Sequence, residues 1–193
     1  MEGFSLKSLY KQVVDLLDDK QFAVCGKSTT HALVYLMHCI LEYLDKGECY
    51  VRLFLADFSK GFDLVDHSVL IAELRSLGVH DVIIRWIASF LSGRTQRVKI
   101  GDAISTPVTP NGGIPQGTRL APILFAVLVN RLVVNWQTRA KFVDDLSVLE
   151  CIPRCSPSYM QCIASDIAQF AFNHGMRLNA RKCKELVFNF LQY

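Results

Sequence analysis

The stretch RAKFVDDLSV, residues 139–148, sets two adjacent aspartates, Asp144 and Asp145, in the middle of an apolar run. Neighbouring carboxylates repel each other, and burying either is costly unless a cation or a hydrogen-bond donor compensates. Apolar residues flank the pair on both sides: Phe142 and Val143 before it, Leu146 and Val148 after it. The expected solution is strand, tight turn, strand, with the acids at the tip and therefore at one end of a sheet. Any fold for this chain has to build its core around that hairpin.

Composition allows such a core. Of 193 residues, 51% are hydrophobic and 20% charged, which excludes a disordered chain and suits one domain. The net charge of +3 tolerates a polyanionic partner without demanding one. The beginning, MEGFSLKSLYKQVVDLLDDK, carries an early acid and no continuous apolar region, so no signal peptide is expected. The most apolar run, LAPILFAVLV, is too short to span a bilayer and ends at Asn130–Arg131. The seven cysteines show no paired spacing and read as reduced thiols of an intracellular protein. Cys151, Cys155, Cys162, His174 and Cys183 fit no common zinc pattern, and Pro153 interrupts the first pair, so no zinc is expected.

The apolar spacing predicts an amphipathic helix carrying Leu6, Leu9, Tyr10, Val13, Leu16 and Leu17. A second follows in STTHALVYLMHCILEYLDKG, capped by Ser28 or Thr29, with Leu33, Met37, Ile40, Leu41 and Leu44 on its inner face. In YVRLFLADF the period becomes two, and apolar residues on both faces indicate a central strand ending at Asp57. Two helices follow, capped by Asp66 and Asp81 and each stopped by a glycine. A hairpin turns at Gly101–Asp102, and a Gly- and Pro-rich loop feeds a buried helix from about Leu120, with Thr118 as its cap and Pro122 in its first turn. A helix ending at Gly175 and a short strand in KELVFNF complete the chain. Helices and strands mix without strict alternation, so the expected class is α+β with an antiparallel sheet.

If the two strands pair, Asp57 and Asp144 lie side by side at one sheet end. A cluster of three carboxylates is unstable alone, and a hard divalent cation such as Mg²⁺ would resolve it. Such a cation centre is the usual apparatus of phosphoryl and nucleotidyl transfer. Turn-forming Asp and a helix-capping Asp57 are the alternatives that the residues alone leave open.

Four stretches then carry a family resemblance. ADFSKGFDLVDH (56–67), NGGIPQGTRLAPILF (111–125), FVDD (142–145) and GMRLNARKCKEL (175–186) occur in the order found in reverse transcriptases. The chain resembles the palm region of a non-LTR, LINE-like retrotransposon polymerase, and QFAVCGKSTTHAL (21–33) resembles the stretch that precedes that palm. The resemblance implies an α+β polymerase palm, its antiparallel sheet packed on helices, over 49–193, with 1–48 as a helical lead-in and partial fingers. It implies RNA-directed DNA polymerase activity, with an RNA template, a DNA primer and deoxynucleoside triphosphates as partners, no membrane, and Mg²⁺ (or Mn²⁺) as cofactor.

Residue by residue, Asp57 matches the first metal-binding aspartate, with the carbonyl of Phe58 beside it, and Asp144 and Asp145 match the aspartate pair. Phe62 matches the ring beneath the incoming sugar, where bulk excludes a ribose 2′-hydroxyl. Gln116 and Gly117 match the nucleotide-contacting loop, and Lys182 matches a lysine that protonates the leaving pyrophosphate. Arg119 is read as reaching phosphate or solvent, and Arg94, Arg97 and Lys99 as basic groups able to follow a nucleic-acid backbone. Two departures stand out: Val143 where the family has alanine, and Lys27 where arginine is frequent, which keeps charge without the guanidinium fork. The chain starts near the beginning of the resemblance and stops soon after KCKEL. The expectation is therefore a truncated polymerase, the alternative being an inactive remnant with at most nucleic-acid binding.

Overall fold

The computed structural model describes residues 2–191. Helix α1 (Glu2–Val13) runs into a single 3₁₀ turn, and α2 (Thr29–Asp45) follows a short loop. Strand β1 (Cys49–Ala56) leads to α3 (His67–Ser76) and α4 (Asp81–Leu91). A small ribbon of β2 (Lys99–Ile100) and β3 (Ala103–Ile104) precedes α5 (Ala121–Leu128). Then come β4 (Arg139–Phe142), β5 (Asp145–Pro153), α6 (Met160–Asn173) and β6 (Lys184–Phe188). The main sheet has the order β4-β5-β1-β6, antiparallel throughout. Gln21 pairs in parallel with Lys141 and adds a short edge beyond β4. β1 is thus interior to the sheet, as its two apolar faces require.

Two apolar clusters cover the two faces. On one, Ala56, Leu146 and Val148 pack with α1, α3, α4, α5 and α6. On the other, Val51, Leu53, Ala140 and Leu149 pack under Ala32, Leu36, Cys39 and Ile40 of α2. Helix α5 is buried at every position but Pro122, in keeping with its apolar circumference. Among the described residues, no helix is long and apolar enough to cross a membrane.

The sequence expectations hold for element type and order, and several details change. The face of α2 is rotated: Ile40 is buried as expected, but Leu33, Met37 and Leu41 are exposed while Ala32, Leu36 and Cys39 turn inward. Small residues at 32 and 39 let the helix approach the sheet closely, which the larger side chains do not. Leu16 is exposed because the tighter 3₁₀ turn at Val14–Leu16 takes it off the helical stripe. His80 caps α4 through its Nδ1, with Asp81 as the first helical residue. Thr118 is not the N-cap of α5, a place that Leu120 takes; its hydroxyl donates to the Pro115 carbonyl, and the helix starts three residues later at Ala121.

Candidate active site

The ladder between β1 and β5 ends at the pair Ala56–Leu146. One step further, the strands bring Asp57 opposite Asp145 rather than Asp144, which lies in the turn. The two-residue turn Val143–Asp144 joins β4 to β5, and Val143 sits at φ 56. That left-handed conformation is strained for a β-branched residue and persists only where its surroundings over-determine it. Asp144 lies over Gly61, whose missing Cβ would stand 3.5 Å from the Asp144 Cβ and 3.4 Å from the Phe125 ring.

The carboxylates interact. The Asp145 carboxyl, although its residue is open to solvent, is pushed above the usual range, first by partial desolvation and then by the charges of Asp144 and Asp57. Oδ1 of Asp57 is buried and has no hydrogen-bond partner. An orphaned buried carboxylate oxygen among like charges is the environment a cation relieves. Among the described residues, no three metal-ligating side chains already converge as a cage. A small hard cation that keeps its waters and uses one or two carboxylates needs no such cage, so the donor set fits.

A second group of contacts fastens the neighbouring loops to Asp57. The Asn179 amide donates to the Asp57 carbonyl (2.8 Å), and the Ser59 amide donates to the Arg177 carbonyl (2.8 Å). Phe58 forms the bridge with Leu178 between these two bonds. Carbonyls alternate along an extended chain, so the Phe58 carbonyl points away from Leu178, toward the β5 side. Lys182 lies exposed in the tight turn begun by Asn179, its amide donating to the Asn179 carbonyl.

Phe62 is half-buried, and its ring leans on Phe125 of α5 with centroids 4.9 Å apart. Gln116 is exposed and its Nε2 donates to Asp63 Oδ1 (3.1 Å). Gly117 is exposed at φ 79, with nothing within 4 Å of the place a Cβ would take. The loop before it is stitched to the β1–α3 connection: Gly113 N–H donates to Val65 O and Ile114 N–H to Phe62 O, both at 2.8 Å. Lys60, Asp63, Gly113, Ile114 and Gln116 wall a groove of ≈ 990 Å³.

Several residues take roles that sequence reasoning did not find. Arg94 is partly buried and serves the scaffold: it donates to the carbonyls of Leu91 (3.0 Å) and Gly113 (2.8 Å). Arg97 and Lys99 are exposed on the ribbon. Gly113 is the glycine that requires close backbone approach, and the adjacent pair Gly112–Gly113 was its only signal. Asp18, Arg139 and Lys141 form a buried charge cluster beneath the carboxylate hairpin, and no spacing in the sequence announces it.

Residues 4–192 match the family described as "Reverse transcriptase (RNA-dependent DNA polymerase)". The chain is 26% identical over 168 residues to a retrovirus-related Pol polyprotein from the type-1 retrotransposable element R2 of Popillia japonica, covering 80% of this chain and 27% of that protein. It is 27% identical over 172 residues to the RNA-directed DNA polymerase from mobile element jockey of Drosophila melanogaster, covering 83% and 18%. It thus spans well under a third of either relative. Among solved structures, apo telomerase from Candida tropicalis, truncated from its C-terminal domain, superposes with a TM-score of 0.67 at 15% identity, covering 100% of this chain and 40% of that one. Telomerase from the same organism in complex with a fragment of telomeric RNA gives 0.66 at 14% identity, covering 96% and 32%. These likenesses establish the fold, an α+β polymerase core. The chain belongs to the reverse transcriptase (RNA-dependent DNA polymerase) family, as a reverse transcriptase domain of the non-LTR, LINE-like retrotransposon kind.

Proposed function

We propose that this chain carries the nucleotidyl-transfer centre of a retrotransposon polymerase: templated attack of a DNA primer 3′-hydroxyl on a deoxynucleoside triphosphate, copying RNA. The observation that carries this reading is the β1–β5 register that carries Asp57 up to Asp145, with Asp144 in the adjoining turn and a buried Asp57 oxygen left without a partner. On this reading residues 49–193 are the palm and 1–48 its helical lead-in with partial fingers.

Asp57 and Asp145, with Asp144 in the adjoining turn and the Phe58 carbonyl beside them, are the groups that would hold a divalent cation, Mg²⁺ or Mn²⁺, which would supply neutralisation of the charge that builds up during transfer. The residues themselves do the positioning. Phe62, backed by Phe125, offers a rigid ring beneath the incoming sugar and leaves no room for a 2′-hydroxyl. Gln116, steadied by Asp63, presents an amide to the nucleotide, and Gly117 leaves the backbone beside it bare of a side chain. Lys182, in the turn tied to Asp57 through Asn179, donates its ammonium proton to the departing pyrophosphate.

The test is extension of a labelled DNA primer on an RNA template with each deoxynucleotide withheld in turn. Pauses set by the template and loss of extension on removing divalent cation support the reading. Primer–template binding by a folded chain with no templated extension would replace it with nucleic-acid binding alone.

A further inference from the structure

Lys141 is 1% exposed, yet it carries a charge into the core. Its Nζ lies 2.6 Å from Asp18 Oδ2 and donates to the carbonyls of Val129 (3.1 Å) and Asn130 (2.9 Å), just past the C-terminal end of α5. Asp18, whose side chain is wholly buried, also takes two bonds from Arg139, at 2.6 and 2.8 Å. The Asn130 side chain closes the cluster, accepting from the Asp18 amide (2.7 Å) and donating to the Leu16 carbonyl (3.1 Å). The backbone of Lys141 is held as well, between the Lys20 carbonyl (2.9 Å) and the Phe22 amide (2.8 Å). Three segments meet here: the chain leaving α1, the end of α5, and β4.

Two of these segments lead to the site. Helix α5 begins just beyond the Gln116–Gly117 loop and carries Phe125, on which Phe62 rests. Strand β4 runs from Lys141 through Phe142 to the strained Val143 and to Asp144. An apolar side chain at 141 would fill the same space but fix no distance, because apolar packing has no direction. Charge-assisted hydrogen bonds to carbonyls and to a carboxylate do fix one.

We propose that Asp18 and Lys141 are positioning residues for the carboxylate turn. They hold β4 at one depth against the end of α5 and thereby set the separation between Asp144–Asp145 and the Gln116–Gly117 loop. In its kinetic consequence this rests on the polymerase reading above; in its structural consequence it does not.

Hydrogen–deuterium exchange on the metal-free chain tests it, using Lys141→Met, which keeps the stem and removes the charge. Exchange across residues 142–146 should quicken by about tenfold or more while the far end of the sheet, near Val51 and Leu149, keeps its protection. A rise spread evenly over the sheet, or no change at the turn, would overturn the positioning role. If Lys141→Met does not fold, Asp18→Asn is read in the same way. In primer extension the variant should lose kcat by roughly 100-fold with KM for the nucleotide held. An unchanged kcat would overturn the proposal. A wild-type chain without extension would instead count against the polymerase reading and leave the exchange result standing.

Discussion

Gly113 sits so close to Asp63 that a Cβ on it would meet the Asp63 carbonyl oxygen at 2.7 Å. Its φ of 83 adds left-handed strain for any other residue. Gly117, at φ 79, has the strain without the collision. Gly113→Ala should therefore cost about 3 kcal/mol or more, and Gly117→Ala only about 1 kcal/mol. Urea unfolding of the two variants checks this; equal losses would mean that close backbone approach does not hold the loop.

Phe62 leans on Phe125 and is half-buried. Replacing it with valine should open room beneath the sugar and raise ribonucleotide incorporation relative to deoxynucleotide by about tenfold or more, the scale of a lost steric contact. It should also lower stability, since the aromatic pair adds about 1 kcal/mol to simple burial. Single-nucleotide incorporation with matched ribo- and deoxynucleotides measures the ratio. An unchanged ratio would return Phe62 to the core.

The Asp18–Lys141 pair carries a pH signature. Burial pulls the Lys141 ammonium down to about 8, against the pull of Asp18 in the other direction. Between that value and the ordinary lysine range the unfolded chain binds the extra proton, so the contribution of Lys141 to stability rises with pH through this window. Burial works against the Asp18 carboxylate, but hydrogen bonds from Arg139 and Lys141 overcome it and hold its pKa well below the usual range. Its contribution is fully present above that range and is lost as the pH falls from there through the depressed pKa. Denaturation midpoints of wild type and Lys141→Met compared at about pH 7.5 and 9.5 should favour wild type more at the higher pH. A constant difference would contradict the assignment.

Much of the site was legible because its signals are local. Apolar residues before Asp57 and around Asp144–Asp145 specify strands, and acids at strand ends go to one end of the sheet. The register was less legible: which acid faces Asp57 depends on where the ladder between β1 and β5 stops. The inner face of α2 was partly legible: Ile40 is buried as expected, but Ala32, Leu36 and Cys39 turn inward in place of Leu33, Met37 and Leu41. Lys141 was illegible for a different reason. A lysine in a strand reads as solvated, and only the distant Asp18 and the carbonyls ending α5 make its burial affordable.

The central claim is that Asp57, Asp144 and Asp145 act as one cation site. Titration of the metal-free chain with Mn²⁺, followed by electron paramagnetic resonance, tests it most directly. The account predicts saturable binding by the wild type, weakened by about tenfold or more in Asp57→Asn and in Asp144→Asn, as expected on losing a charged ligand. Folded variants that bind Mn²⁺ as tightly as the wild type would contradict it.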